Sequence, residues 1–520
     1  MNFTSKLEPL SLATSTALVG GCHEISFNPE EAAPVSSPLP LIVSYTLPSG
    51  LVKTTRGFVT ATGDVKARCY VSQEGTWQWE VKNQEGRCIR VGNFQALGSP
   101  LPGKIKSSDR DPRHLQYANG SWFLQIGDNA HRFPVRDETK WEAYLVQAAQ
   151  AGFNKLRVWL PNDRHSAACL FDGQRKSINF EYWDEIDRRF TQALIRYPEI
   201  QLQVCPFAED ADEFTRFGEG DPVSYLALRY AQERFSAFPN IHWCVAHNLD
   251  TSDENAVKIA KEMGAYLASN DLWDSLVTCH QKRFTGFDLF DEEWCAYAAI
   301  SDLGQANGSA IHRLRPTASK PIFLEEDRNE GDLKPNWPRY YFRRLFWGAL
   351  LSGGYPSYQG LDTSSPHKQH SAGIQGYYDL CHAGDLRQGA QDLHHVRKFF
   401  EDTGITLEKW TPDDILSGND PLKVKSAKSQ SGTEVIAYIA NPEVFGGHAP
   451  DGFDGVHTDK LSDASETFTT FTLELPFSSG TAKWYNPTTG EWKGEAEITK
   501  NSTTLLTPAP GDWIVHVTRK

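Results

Sequence analysis

Between residues 10 and about 110, apolar and polar positions alternate in short runs, among them ALVGGCHEISF, PLIVSYTL and ARCYVSQEGTWQWEV. A period of two is the spacing of a strand with one face buried, and the intervening PSG, ATGD and QEG supply turn residues. With no helical period between the runs, residues 1–110 predict an Ig-like β-sandwich. The next stretch, LGSPLPGKIKSSDRDPRH, is rich in Pro, Gly and Ser and reads as a linker.

From about residue 115 the pattern changes to short apolar runs followed by amphipathic helical periods. WFLQIGD precedes TKWEAYLVQAAQAG, FNKLRVWLP precedes FEYWDEIDRRFTQALIRYP, and IQLQVCPFA precedes PVSYLALRYAQERFSAFP. NIHWCVAHNLD leads into ENAVKIAKEMGAYLASN; LVTCHQ and CAYAAIS follow, then KPIFLEED before WPRYYFRRLFWGALLSG, and finally GYPSYQG. Eight strand candidates over about 260 residues predict a (β/α)8 TIM barrel spanning residues 111–400. A doubly wound open sheet would more naturally carry a glycine-rich phosphate loop after its first strand, and GDNAHRF is not one. Beyond the helical DLRQGAQDLHHVRKFFED, β-type runs return in VIAYIAN, FTTFTLELP, AKWYNPTTGEW and WIVHV, so residues 401–520 predict a second β-sandwich.

Composition narrows what such an assembly binds. A formal net charge of -14 with no clustered Lys and Arg works against a nucleic-acid partner. No run of 18 apolar residues is present to span a bilayer. The 15 Trp and 18 Tyr provide flat amphipathic faces of the kind that stack on sugar rings, and equally the bulk of large aromatic cores. Nine scattered cysteines, with no CxxC pair, read as buried small hydrophobes rather than as a disulfide framework or metal site. In MNFTSKLEPLSLATSTALVGGC, Glu8 and Pro9 interrupt what would be the apolar core of an export signal, so a first strand and a cytoplasmic location are expected. An exported protein, periplasmic or at the cell surface, is the alternative.

A barrel of this type reacts at the C-terminal ends of its strands. Those ends carry Asp128 and His131, Arg157 and Trp159, Glu209 and Asp210, then His247, Asn248 and Asp250, and His280, Glu325, Glu326, Tyr358 and Gln359. Acids from strands four and seven can face each other across a bound ring, which is the minimum apparatus of glycoside hydrolysis. The alternative for any single acid is to cap the following helix.

The order of several motifs resembles one family. HEISFNP, TLPSG and GFVTATGDVKARCYVSQEGTWQWEV come first, then YANGSWFLQIGDNAHRF, GFNKLRVWLP, RFSAFPNIHWCVAHNLD, KPIFLEED and FRRLFWGALLSGGYPSYQG, and finally AKWYNPTTGEW with PAPGDWIVHV. Together they resemble the apiosidase-like (β/α)8 barrels related to clan A glycoside hydrolases, which carry an N-terminal β-sandwich and a C-terminal sandwich of the collagen-binding type. The resemblance implies a cofactor-independent hydrolase that cuts a poly- or oligosaccharide, with retention favoured over inversion. It also implies a strand-seven acid five residues after the strand's proline, which from Pro321 is Glu326, as nucleophile or, in an inverting enzyme, general base. Strand alternation sets Ile322, Leu324 and Glu326 on one face and Phe323 and Glu325 on the other, leaving Glu325 behind the site or facing a helix.

Strand four departs from the family pattern. The general acid is expected five residues after Trp243, where this chain has Asn248. The role falls to Asp250, which shares the parity of Asn248, or to Glu209 or Asp210; otherwise the protein binds glycan without cleaving it. By the same resemblance Asp128, Arg157, His247 and His280 would hold sugar hydroxyls, with His131 and Asn248 beside them. Trp159 and Tyr358 would supply stacking faces.

Overall fold

The computed structural model describes residues 15–28, 37–131, 138–162, 166–209, 211–282, 287–301, 308–326, 339–359, 388–413, 424–440 and 466–520. The alternating N-terminal runs form β1 (Thr16–Leu18), β2 (Cys22–Phe27), β3 (Leu41–Thr46), β4 (Val52–Val59), β5 (Val65–Tyr70), β6 (Gly75–Lys82) and β7 (Cys88–Leu97). They lie in the order β1-β7-β6-β3-β4-β5-β2, every pair antiparallel except β1 with β7. Leu41, Val43 and Tyr45 of β3 point inward with Phe58, Val65, Trp77 and Phe94 to form the core of a sandwich-like body.

The barrel is closed. β10 (Gly127–His131), β11 (Lys155–Trp159), β12 (Gln201–Cys205), β13 (Ile241–Cys244), β14 (Val277–His280), β15 (Cys295–Ser301), β16 (Ile322–Glu326) and β17 (Tyr355–Tyr358) each run parallel to the next, and β17 returns to β10. These short strands are buried on both faces because helices wrap them. The helices are α1 (Glu138–Gln150), α2 (Phe180–Arg196), α3 (Asp212–Gly218), α4 (Pro222–Phe235), α5 (Glu254–Asn270), α6 (Ser309–Leu314), α7 (Arg339–Leu351) and α8 (Gln388–Thr403). Asn179, Asp221 and Asp253 start α2, α4 and α5 by accepting from backbone N–H groups of the first turn. Among the described residues no helix is long and apolar enough to cross a membrane.

Inside the barrel the lowest level is aromatic: Phe323 lies between Tyr297 and Tyr355, with ring centroids 4.5 and 4.9 Å away. The Tyr297 hydroxyl meets Gln203 Nε2 at 2.9 Å and His242 Nε2 at 3.0 Å.

The segment read as a linker is instead packed. Its hairpin, β8 (Ile105–Ser107) with β9 (Leu115–Tyr117), lies against the lower end of the barrel. There His114 Nδ1 and Trp122 Nε1 reach the Tyr355 hydroxyl at 2.6 and 3.0 Å. The Lys104 ammonium donates to the Ser236 carbonyl at 2.8 Å and to Ser275 Oγ at 2.6 Å, and burial pushes its pKa down to about 8. Pro, Gly and Ser here report irregular backbone, not a hinge.

Both flanking bodies dock through buried arginines. Arg68 of β5 donates to Glu24 at 2.8 Å and to Asp187 of α2 at 2.9 Å, and Arg234 of α4 donates to the second Asp187 oxygen at 2.5 Å. Burial alone would raise the Asp187 pKa, but the two guanidinium groups override it and hold the carboxyl well below its ordinary range. The C-terminal strands are β18 (Trp410–Pro412), β19 (Val424–Ser429), β20 (Glu434–Ile439), β21 (Thr470–Glu474), β22 (Gly480–Asn486), β23 (Glu491–Ile498), β24 (Ser502–Leu506) and β25 (Trp513–Arg519). They form a six-stranded sheet, β18-β19-β20-β25-β22-β23, and the pair β21-β24, with Val435, Leu473, Trp484 and Val515 in the core they share. Arg343 of α7 ties this body on, donating to Asp392 of α8 at 2.8 Å and to Asp512 at 2.9 and 3.0 Å.

Candidate active site

Alternation along KLRVW aims Lys155, Arg157 and Trp159 of β11 into the barrel, at successively higher levels towards the mouth. Gly127 on the neighbouring strand makes room: a Cβ there would stand 3.3 Å from Lys155 Cδ and 2.8 Å from Ser357 Oγ. The Lys155 ammonium pairs with Glu325, both fully buried. Burial drives the lysine's pKa down against the opposing pull of that carboxylate.

Glu325 is therefore inside the barrel, one of the two places left open for it, but not on the face opposite Glu326. β16 pairs with β15 through Ile300↔Leu324 and then Ser301↔Glu326, so Glu325 opposes no residue. This bulge overturns the strict alternation and turns two consecutive acids inward. Asn129 Nδ2 secures it by donating to the Glu325 carbonyl at 2.7 Å.

Glu326 sits at the level above. Its Oε2 is 3.9 Å from Arg157 Nη2 and 4.0 Å from His280 Nε2, and although buried it takes no hydrogen bond from the described residues. His280 meets the His247 carbonyl through Nδ1, which fixes the hydrogen on that nitrogen, and in the neutral ring Nε2 accepts from Ser301 Oγ at 2.8 Å. His247 stands edge-on to Trp159, ring centroids 5.2 Å apart. Trp159 packs on Cys205 and Cys244 and is 3% exposed, so it forms the floor of the mouth rather than an open stacking face.

Beyond β13, the backbone N–H groups of His247 and Asn248 donate to Glu209 Oε2 at 2.8 and 2.9 Å. Asn248 Oδ1 is buried without a hydrogen-bond partner among the described residues. Asp250 is engaged elsewhere: Lys282 Nζ lies 2.6 Å from one oxygen, Ser252 donates twice to the other, and the side chain is 37% exposed. The Lys282 and Ser252 hydrogen bonds hold its carboxyl well below the ordinary range.

Two residues expected at the mouth face the helices. With Gly127 and Asn129 pointing in, Asp128 between them points out, and its carboxylate accepts from the Tyr144 hydroxyl of α1. Tyr358, paired with Asp128 across the strands, stacks on Phe153 and meets Phe342 of α7 edge-on. The His131 side chain, Asp210 and Cys381 lie outside the described residues. Among the described residues no group of three His, Cys, Asp or Glu is placed to hold a metal ion.

The family model for "Apiosidase-like, catalytic domain" matches residues 109–406. The chain belongs to the apiosidase-like family. No curated protein matches it. Among solved structures, a candidate glycoside hydrolase from Bacteroides vulgatus ATCC 8482 covers 97% of this chain and 100% of its own, at 16% identity and a TM-score of 0.74. A family 5 glycoside hydrolase from the same organism covers 80% of this chain and 94% of its own, at 16% identity and a TM-score of 0.59. At such identities the likeness establishes the fold, and it spans the flanking sheets of this apiosidase-like chain as well as the barrel.

Sequence reading missed three residues that support this apiosidase-like mouth from below or beside it: Lys155, Asn129 and Ser301. A lysine two positions before Arg157 in an apolar strand was a usable signal, because parity puts both inside the barrel. Ser301 carried none, since its role depends on where His280 lands.

Proposed function

We propose that this protein hydrolyses O-glycosidic bonds of an oligo- or polysaccharide, using two carboxylates at the barrel mouth and retaining the anomeric configuration. Glu326 carries the reading: a buried carboxylate at the end of strand seven, flanked by Arg157 and His280, with an oxygen that accepts no hydrogen bond from the described residues. Buried polar atoms are seldom left unpaired, and one at a barrel mouth beside Arg157 and His280 is placed for a substrate to complete the set. In the first step a Glu326 oxygen attacks the anomeric carbon, the bond to the aglycone oxygen breaks, and the second carboxyl group protonates that oxygen. In the second step water attacks the same carbon, its proton passes to the second carboxylate, and the bond to Glu326 breaks. Arg157 and His280 orient the attacking oxygen.

The test compares reducing-sugar release from a panel of polysaccharides by wild type and Glu326→Gln. Wild type is expected to release sugar from at least one and Glu326→Gln from none, with correct folding confirmed by circular dichroism. Equal activity of the two proteins would remove Glu326 from the chemistry. A second reading draws on Asn248, an amide where an acid is expected: a wild type that binds a glycan yet cleaves none would make this a glycan-binding protein.

A further inference from the structure

We infer that Lys155 is a positioning residue that decides which of two consecutive acids stands at the mouth: by holding Glu325 one level down inside the barrel, it gives Glu326 the place at the end of strand seven. The inference rests on the hydrolase reading for what Glu326 does there, and on the path of β16 alone for how it comes to stand there.

Phe323 points into the barrel, packed between Tyr297 and Tyr355. Regular alternation from it would carry Glu325 inward and turn Glu326 out towards the helices. In the ladder Ile300 opposes Leu324, so the next residue of β15, Ser301, would be expected to oppose Glu325. It opposes Glu326 instead, and Glu325 is the residue taken out of the ladder. Ser301 faces the interior, because its Oγ donates to His280 Nε2 at 2.8 Å. Whichever acid stands opposite Ser301 is therefore the one that reaches His280 and Arg157, as Glu326 does at 4.0 and 3.9 Å.

Outside the ladder Glu325 pairs with Lys155, and both side chains are shut off from solvent. Room for the lysine stem is cut by Gly127, where a Cβ would stand 3.3 Å from Lys155 Cδ. A carboxylate at that depth is sustained only where a cation meets it. Asn129 Nδ2 braces the same bulge from β10, donating to the Glu325 carbonyl at 2.7 Å and to Gln359 Oε1 at 3.2 Å. That contact grips the main chain; the contact that selects the side chain is the Lys155 ammonium. With the ammonium gone, the least costly place for the Glu325 carboxylate is the ladder position opposite Ser301, beside the Arg157 guanidinium and nearer to water. Glu326 then turns out of the mouth.

The experiment compares full-length wild type, Lys155→Met and the double variant Lys155→Met with Glu325→Leu, on a polysaccharide that wild type cleaves. Activity is expressed per folded molecule, with the folded fraction taken from tryptophan fluorescence. Lys155→Gln, which keeps a donor for Glu325 but no charge, is run alongside in case Lys155→Met does not fold. A misplacement of about 1 Å at the reacting atoms can cost about 10²-fold, so the single variants should lose at least about that much in kcat. KM should stay within a few-fold, because an attacking oxygen is used in the transition state and not in substrate binding. The double variant, with no second carboxylate to compete for the mouth, should recover kcat to within a few-fold of wild type. A crystal structure of the single variant should show residue 325 opposite Ser301. Wild-type kcat in a folded single variant, or a double variant as slow as the single, overturns the inference and leaves the hydrolase reading standing. A wild type inert on every substrate overturns the hydrolase reading; the crystal structure then still decides how Glu326 is placed, and Glu326 remaining opposite Ser301 without Lys155 overturns the inference by itself.

Discussion

Replacing Lys155 by methionine keeps most of the side-chain volume but strips the partner from Glu325 at the centre of the barrel. Both groups are fully buried, with Phe323 and Tyr355 packed below them, so the remaining carboxylate has no ready path to water. Breaking a buried pair by removing one member typically costs about 3–5 kcal/mol, whereas replacing both members by apolar groups of similar size is often neutral. Against a total stability of about 5–15 kcal/mol, the single change is a large fraction. Lys155→Met, Glu325→Leu and the double variant should be unfolded in urea at pH 7 with tryptophan fluorescence as the readout. The single variants should lose about 3–5 kcal/mol each, and the double variant should recover most of that loss. A Lys155→Met protein within about 1 kcal/mol of wild type, or a double variant as unstable as the sum of the singles, would show that the pair is not a coupled buried unit.

Two further outcomes follow from the docking contacts. Burial lowers the Lys104 pKa to about 8 from its ordinary 10.5, so between those values the unfolded chain binds the extra proton and the burial penalty is relieved as pH rises. From pH 7 to pH 10 wild type should gain about 2–3 kcal/mol relative to Lys104→Met, measured as the difference in their urea unfolding free energies; a constant difference would refute the assignment. Asp187→Asn leaves the Arg68 and Arg234 guanidinium groups facing an amide and should cost about 3–5 kcal/mol at neutral pH. Because the folded carboxyl titrates below its ordinary range, this contribution is present above about pH 4 and fades on acidification, so the gap between wild type and Asp187→Asn should narrow as pH falls.

The barrel was legible because each strand is a short run buried on both faces and each helix is amphipathic, so periodicity alone separates them. The position of Glu326 was readable by counting from Pro321, but the orientation of its neighbour was not, because a bulge is set by how β15 and β16 register and leaves no local mark in IFLEE. Asp128 and Tyr358 are the opposite case. Parity within GDN and PSY already points both away from the barrel, against the roles that the resemblance implies for them. The grip of Glu209 on His247 and Asn248 joins two loops from different strands, and no spacing within one segment encodes such a contact.

The packed stretch that begins near Lys104 has a consequence for how the molecule melts. Within a dozen residues it touches the Tyr70 hydroxyl of the first sheet, the loops before β13 and β14, Tyr355 at the foot of β17, and, through Ser108 and Arg110, Glu408 just ahead of the last sheet. A chain strung on flexible tethers would lose its parts one at a time on heating, in separate calorimetric peaks. Here each part shares polar contacts with the strap, so the three bodies should melt in one calorimetric transition, and damage to the strap should lower the melting temperature of all of them together; separate peaks would refute the coupling.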